Sequence, residues 1–302
     1  MSIKPRKLLL ELNRSCNLRC GYCYHAYKQQ PGHAPVNRFR LPATFLRRLR
    51  IEEIVLSGGE PLLDPSLVLE LIDYYRKYSS DIELVTNGTL LSSALLQELW
   101  ETGLTRLAVS LDTLDPELHK KIRGGSNTPV LRNLHEICRF ADHSLELTLI
   151  VVLSAHNCTL SNINSILTFA EDLDISRVRF QPVTTAHLPQ AKAMEFALPD
   201  KLALFETLNK MDHPKIVFSP QFMTFLELLD DQDFFDPFFC PIAQQLVYLD
   251  FKGRMSSCPI RTDLTFNCWD DYSNFKEELA NRRCDITSLI SCRLQTHCLC
   301  LF

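Results

Sequence analysis

Six short apolar runs recur within residues 1–199: KLLLEL, EIVLS, IELVTN, RLAVSLD, LELTLIVVL and RVRFQP. Between them lie longer stretches with helical spacing, such as SLVLELIDYYRKY, SSALLQELWETG and LSNINSILTFAEDL. Apolar runs bounded by turn residues read as strands, and apolar positions three and four apart read as amphipathic helices. Strand-helix alternation of this kind requires a parallel sheet with right-handed crossovers. Six units fall short of the eight that close a full barrel, so the expected shape is an open barrel with its chemistry at the carboxyl-terminal rim of the strands. The Leu, Ile and Val of these runs are assigned to core packing.

From LPDKLALFETLNKM onward the alternation stops, and the chain turns rich in Phe, Asp, Pro and Cys. A second module is therefore expected to start near residue 200, dividing the chain into 1–199 and 200–302.

The rim following the first run carries SCNLRCGYCYH, with Cys16, Cys20 and Cys23 spaced CxxxCxxC. Three thiolates from one short loop can converge on one face of an iron-sulfur cube, whose four irons need four ligands. The fourth iron is then open to a small molecule, as the fourth position of a catalytic zinc is. The alternative is a zinc site with His25 as its fourth ligand. A formal net charge of -4, with no signal peptide and no long apolar run, places the chain in a reducing cytosol. There, clustered cysteines point to metal or redox chemistry rather than disulfides.

CxxxCxxC after a first strand resembles the signature of the radical S-adenosylmethionine (SAM) superfamily, and later segments extend the resemblance. IVLSGGEPLLD carries Gly58, Gly59, Glu60 and Pro61, matching the GGEP segment that meets the SAM amino group. Paired glycines suit close backbone approach, and a carboxylate suits an ammonium. Thr86, Asn87 and Gly88 in ELVTNGTLL, then Ser110 and Asp112 in RLAVSLDTLD, match strand ends that face the ribose and methionyl groups. Arg123 matches an arginine that meets the SAM carboxylate, Gln181 in RVRFQPV lies in the segment beside the adenine, and Tyr22 within the triad joins the same SAM-binding set. The family's core is a partial (β/α)6 TIM-like barrel. The resemblance implies a 4Fe-4S cluster on the triad, SAM chelated to its open iron, and reductive cleavage to methionine and a 5'-deoxyadenosyl radical that takes a hydrogen atom from substrate. An electron donor such as flavodoxin or ferredoxin is implied with it.

In the second module, CPIAQQLVYLDFKGRMSSCP places Cys240, Gly253 and Cys258 in the pattern CX12GX4C. LVYLDFKGRMSSC reads as two strands joined by a turn through Lys252 and Gly253. This resembles the opening of the SPASM and twitch domains, small α+β modules that hold auxiliary 4Fe-4S clusters. A full SPASM domain continues CX2CX5CX3C, whereas here Leu289 and Phe302 stand at two of those positions, leaving Cys292, Cys298 and Cys300. One auxiliary cluster is expected, on Cys240 and Cys258 with two of the last three cysteines. Cys268, in TFNCWDDY, is open to three roles: hydrogen donor to a substrate radical as in SPASM-like epimerases, fourth ligand, or none. Cys138 and Cys158 read as buried thiols, and His297 as a neighbour of ligands.

A near-neutral charge argues against nucleic-acid binding, and no membrane segment is present. Few residues precede the first strand, so a leading peptide-recognition domain is not expected, and a peptide substrate would call for a separate recognition protein. The expected activity is oxidation, crosslinking or epimerisation of a peptide or small natural product, including the aminoglycoside-type dehydrogenases and epimerases. The competing classes are a polar SAM methyltransferase and a non-catalytic iron-sulfur or zinc scaffold.

Overall fold

The structure, a computed structural model, describes residues 6–23, 35–140, 145–183, 210–217 and 246–256, with residues 194, 203, 206–208 and 265–266. The six expected strands form as β1 (Lys7–Glu11), β2 (Glu53–Ser57), β3 (Asp81–Thr86), β4 (Arg106–Ser110), β5 (Glu146–Leu153) and β6 (Arg177–Pro182). They pair in parallel and in sequence order. The intervening helices are α1 (Ala43–Leu49), α2 (Pro65–Tyr75), α3 (Ser93–Thr102), α4 (Pro116–Arg123), α5 (Thr128–Phe140) and α6 (Leu160–Asp172).

Local chemistry starts these helices just past the strand ends. Asp64, Ser92, Asp115 and Thr159 each accept a hydrogen bond from a backbone N–H in the first turn of α2, α3, α4 and α6, and Pro65 and Pro116 open α2 and α4. Such caps satisfy donors that the first turn leaves open.

The strands are apolar on both faces because both are covered. Leu8, Leu10, Ile54, Leu56, Leu84, Leu107, Leu149 and Phe180 face the helix layer. Leu9, Val55, Val85, Ala108, Ile150, Leu246 and Tyr248 form a separate inner cluster. On the same inner face, at the amino-terminal end of the strands, lies a floor of ion pairs: Lys7–Glu53 at 2.9 Å, Arg106–Asp81 at 2.6 Å and Arg179–Glu83 at 3.1 Å. Burial opposes ionisation of Glu83, but the charges of Arg179, Arg106 and Lys7 outweigh it and hold its carboxyl below the usual range.

The described residues beyond 200 extend this sheet. β7 (Ile216–Val217) pairs with β6, and β8 (Leu246–Leu249) adds in parallel to the free edge of β1. β9 (Met255–Ser256) returns antiparallel to β8, and β10 (Thr265–Phe266) follows. The expected hairpin through Lys252 and Gly253 is present. Asp250 Oδ1 accepts from the backbone N–H groups of Lys252 and Arg254, and Gly253 takes φ 79°. The expected ligands Cys240, Cys258, Cys292, Cys298 and Cys300, and Cys268, lie outside the described residues.

Candidate active site

The loop after β1 turns back across the sheet end. Gly59 and Glu60 donate backbone N–H bonds to the carbonyls of Asn13 and Ser15, both at 2.8 Å. A Cβ on Gly59 would stand 2.1 Å from the Ser15 carbonyl oxygen, so only glycine permits this contact. From the other side, Arg19 and Gly21 donate to the carbonyls of Arg123 and Ile122 at the end of α4. Cys16, Cys20 and Cys23 are thus held, half-buried, between the β2 loop and α4.

The remaining site residues converge on that loop. The Glu60 carboxylate is fully buried. It accepts from Leu62 N at 3.0 Å, Thr86 Oγ1 at 2.7 Å and Asn87 N at 2.8 Å. Sequence reasoning gives that carboxylate to an ammonium; in the structure it braces GGEP against TNG, with burial pushing its pKa up. Asp112, also fully buried, accepts from Tyr22 Oη at 2.6 Å, Arg123 Nη1 at 3.3 Å and Val152 N at 2.8 Å. Tyr22 therefore links the cysteine loop to the SLD strand end. Ser110 closes β4, and Gln181 lies on the inner face of β6 across the mouth.

Several contributors escape sequence reasoning. Asn157 and Asn162 each donate to the Asp112 carbonyl at 3.0 Å. Glu11 pairs with Arg14 at 2.7 Å and accepts from the Tyr248 hydroxyl, and the Arg14 guanidinium lies 4.4 Å from the Phe251 ring centroid. The β8–β9 hairpin thereby grips the chain two residues before Cys16. The only local signal was short polar residues beside strand ends.

Buried in α4 behind Arg123, His119 is pushed down to about 4 by desolvation and then by the Arg123 charge. A His pKa lowered on folding contributes stability that is complete above its unfolded value of 6.5 and is lost as pH falls toward 4. The melting temperature should fall over that window, and His119→Phe should flatten this part of the profile. An unchanged profile in the variant would refute the assignment.

The donor set suits the implied cofactors. Burial raises the Cys16 thiol, and Cys20 to about 11, so both stay protonated unless a cation such as cluster iron claims the sulfur. No three His, Cys, Asp or Glu among the described residues are grouped to hold a single metal ion; a cluster does not ask for that, because each thiolate binds a different iron. Arg123 Nε and Gln181 Oε1 are two of the seven buried side-chain polar atoms that lack a hydrogen-bond partner among the described residues, and both belong to residues expected to meet SAM.

Residues 10–154 match the Radical SAM superfamily. A probable GTP 3',8-cyclase of Methanococcus aeolicus is 30% identical over 190 residues, 59% of this chain and 60% of that protein. Its counterpart in Methanocaldococcus jannaschii is 29% identical over 272 residues, 85% and 86% of the two chains. The fold is similar to Streptococcus suis SuiB bound to precursor peptide SuiA, with TM-score 0.75 and 15% identity over 98% of this chain and 71% of that one. It is also similar to anSMEcpe with bound AdoMet and a peptide, at TM-score 0.66 and 17% identity over 96% and 88% of the two chains. No helix among the described residues is long and apolar enough to cross a membrane.

Proposed function

We propose, residues 10–154 being a radical SAM superfamily domain, that the chain is a radical SAM enzyme abstracting a hydrogen atom from a peptide or small natural product, with oxidation, crosslinking or epimerisation as the outcome. The observation that carries this reading is the single bonded network that draws the cysteine loop, GGEP, TNG, SLD and Arg123 to one mouth. A 4Fe-4S cluster on Cys16, Cys20 and Cys23, with SAM bound, supplies one-electron cleavage to a carbon radical. The chain's own residues place and enclose: Glu60 and Asp112 lock the loops, Arg123 Nε and Gln181 Oε1 offer polar contacts, and the apolar inner cluster beneath the rim keeps water out. Cys240, Cys258 and two of Cys292, Cys298 and Cys300 are proposed to hold an auxiliary cluster, and Cys268 to serve as a hydrogen donor if the outcome is epimerisation.

A second reading, ring closure on a nucleoside triphosphate, is favoured by the curated relatives named as probable GTP 3',8-cyclases. A triphosphate calls for cations. On the described cysteine loop and α4, Arg14 pairs with Glu11 and Arg123 Nη1 with Asp112, while Arg19 Nη1 donates to the neutral Cys16 and Leu18 carbonyls and Lys120 and Lys121 stand in the last turn of α4.

Anaerobic reconstitution of the wild type and of a Cys16, Cys20 and Cys23 to Ala variant tests the proposal. About eight irons per chain, falling to about four with loss of 5'-deoxyadenosine formation, is the expected result. Undiminished 5'-deoxyadenosine in the variant would refute it, and GTP-dependent formation of a cyclised nucleotide would establish the second reading.

A further inference from the structure

Beside Cys16 lies a closed ring of hydrogen bonds that joins Asn87 to two side chains, Asn17 and Thr89, that the SAM-binding reading does not use. Asn17 Nδ2 donates to Thr89 Oγ1 at 2.7 Å, Thr89 Oγ1 donates to Asn87 Oδ1 at 2.6 Å, and Asn87 Nδ2 donates back to Asn17 Oδ1 at 2.8 Å. Thr89 N adds a second bond to Asn87 Oδ1 at 2.9 Å. The turn is held from outside by Asn133 Nδ2 on α5, which donates to the carbonyls of Gly88 and Thr89.

The ring decides which way the Asn87 amide faces. Its oxygen takes the Thr89 backbone N–H, so a flipped amide would set NH2 against that N–H and lose the bond, whereas the Thr89 hydroxyl can turn to donate or accept. The orientation that survives leaves the second Nδ2 hydrogen for the Cys16 sulfur, 3.7 Å away. Leu18 N supplies another donor to the same sulfur at 3.4 Å. Asn87 is buried, so water does not readily replace this contact.

We propose that Asn17 and Thr89 are positioning residues that aim the Asn87 amide at the Cys16 sulfur and so raise the reduction potential of the cluster on that loop. The proposal rests on the cluster assignment above and concerns how the site is tuned. Reduction adds negative charge that spreads onto the sulfurs, and an N–H donor stabilises that state more than the oxidised one. Losing the ring leaves the Thr89 backbone N–H bond to Asn87 Oδ1 in place but removes side-chain contacts that fix the plane of the amide, which weakens the donor without touching a ligand.

The test is an EPR-monitored redox titration of the reconstituted holoenzyme, following the signal that SAM perturbs so that any other cluster is set aside. Thr89→Val removes the hydroxyl at nearly constant shape, Thr89→Ser restores it, and Asn17→Ala breaks the ring from the other side. Thr89→Val and Asn17→Ala should shift the midpoint to more negative values at wild-type iron content, while Thr89→Ser stays at the wild-type value. A wild-type midpoint in both Thr89→Val and Asn17→Ala, or an equal shift in Thr89→Ser, would overturn the inference and leave the cluster assignment standing. A wild-type protein with no SAM-responsive signal would overturn both.

Discussion

Asp112→Ala is expected to destabilise the protein by about 3–5 kcal/mol, measured by urea unfolding of the metal-free chain. Asp112 is fully buried and is the anionic partner of Arg123, which is itself 6% exposed. Truncation leaves a guanidinium in a low-dielectric setting without its counter-charge, the costly half of a broken buried pair. It also strands the Tyr22 hydroxyl and the Val152 N–H, each of which donates to that carboxylate. Asp112→Asn keeps an acceptor for some of these donors and should cost less. A loss below about 1 kcal/mol for the Ala variant would show that water or rearrangement replaces the pair, and that Asp112 does not hold the mouth together.

Gly59→Ala should cost about 3 kcal/mol or more and should prevent iron from entering the triad. The added methyl meets backbone, the Ser15 carbonyl oxygen at 2.1 Å, and cannot be relieved by a rotamer change. Relief requires the cysteine loop to move off the β2 loop, breaking the backbone bonds Gly59 N to Asn13 O and Glu60 N to Ser15 O. Iron content after reconstitution reads the loop's position directly. Wild-type iron at reduced stability would mean that strain is absorbed elsewhere and that the triad folds independently of GGEP.

Much of the framework was legible because it depends on local chemistry. The runs KLLLEL and RVRFQP became Lys7–Glu11 and Arg177–Pro182. Apolar periodicity and helix caps act over a few residues and need no partner to be recognised. The hairpin around Gly253 was legible for the same reason: a positive φ at a turn is a local requirement, and glycine meets it freely. The shared position of the triad, GGEP and TNG was legible because each directly follows a strand, and strand ends of a parallel barrel share one rim.

Side-chain partnerships were not legible. Glu60 reads as a free acid at a ligand's edge, yet the tertiary fold turns it inward onto Thr86 and Asn87, 26 and 27 residues away. Tyr248 reaches Glu11 across 237 residues, and Asn17 reaches Thr89 across 72. The Glu83–Arg179 pair of the barrel floor spans 96. Each depends on strand register and sheet curvature, which set which inward side chains meet.

The amino-acid sequence by itself determined the six strands and the helices between them, the rim that the cysteine loop, GGEP and TNG share, and the spacing of the three thiols expected to hold iron, because spacing and turn residues encode these locally. Only the tertiary structure decided that β8 continues the barrel sheet beside β1, that Glu60 and Asp112 are internal braces, and that the Asn87 amide faces the Cys16 sulfur. These outcomes are choices among partners for buried polar groups. Burial makes an unmet hydrogen bond costly, so the whole fold selects the partner that no single segment can specify.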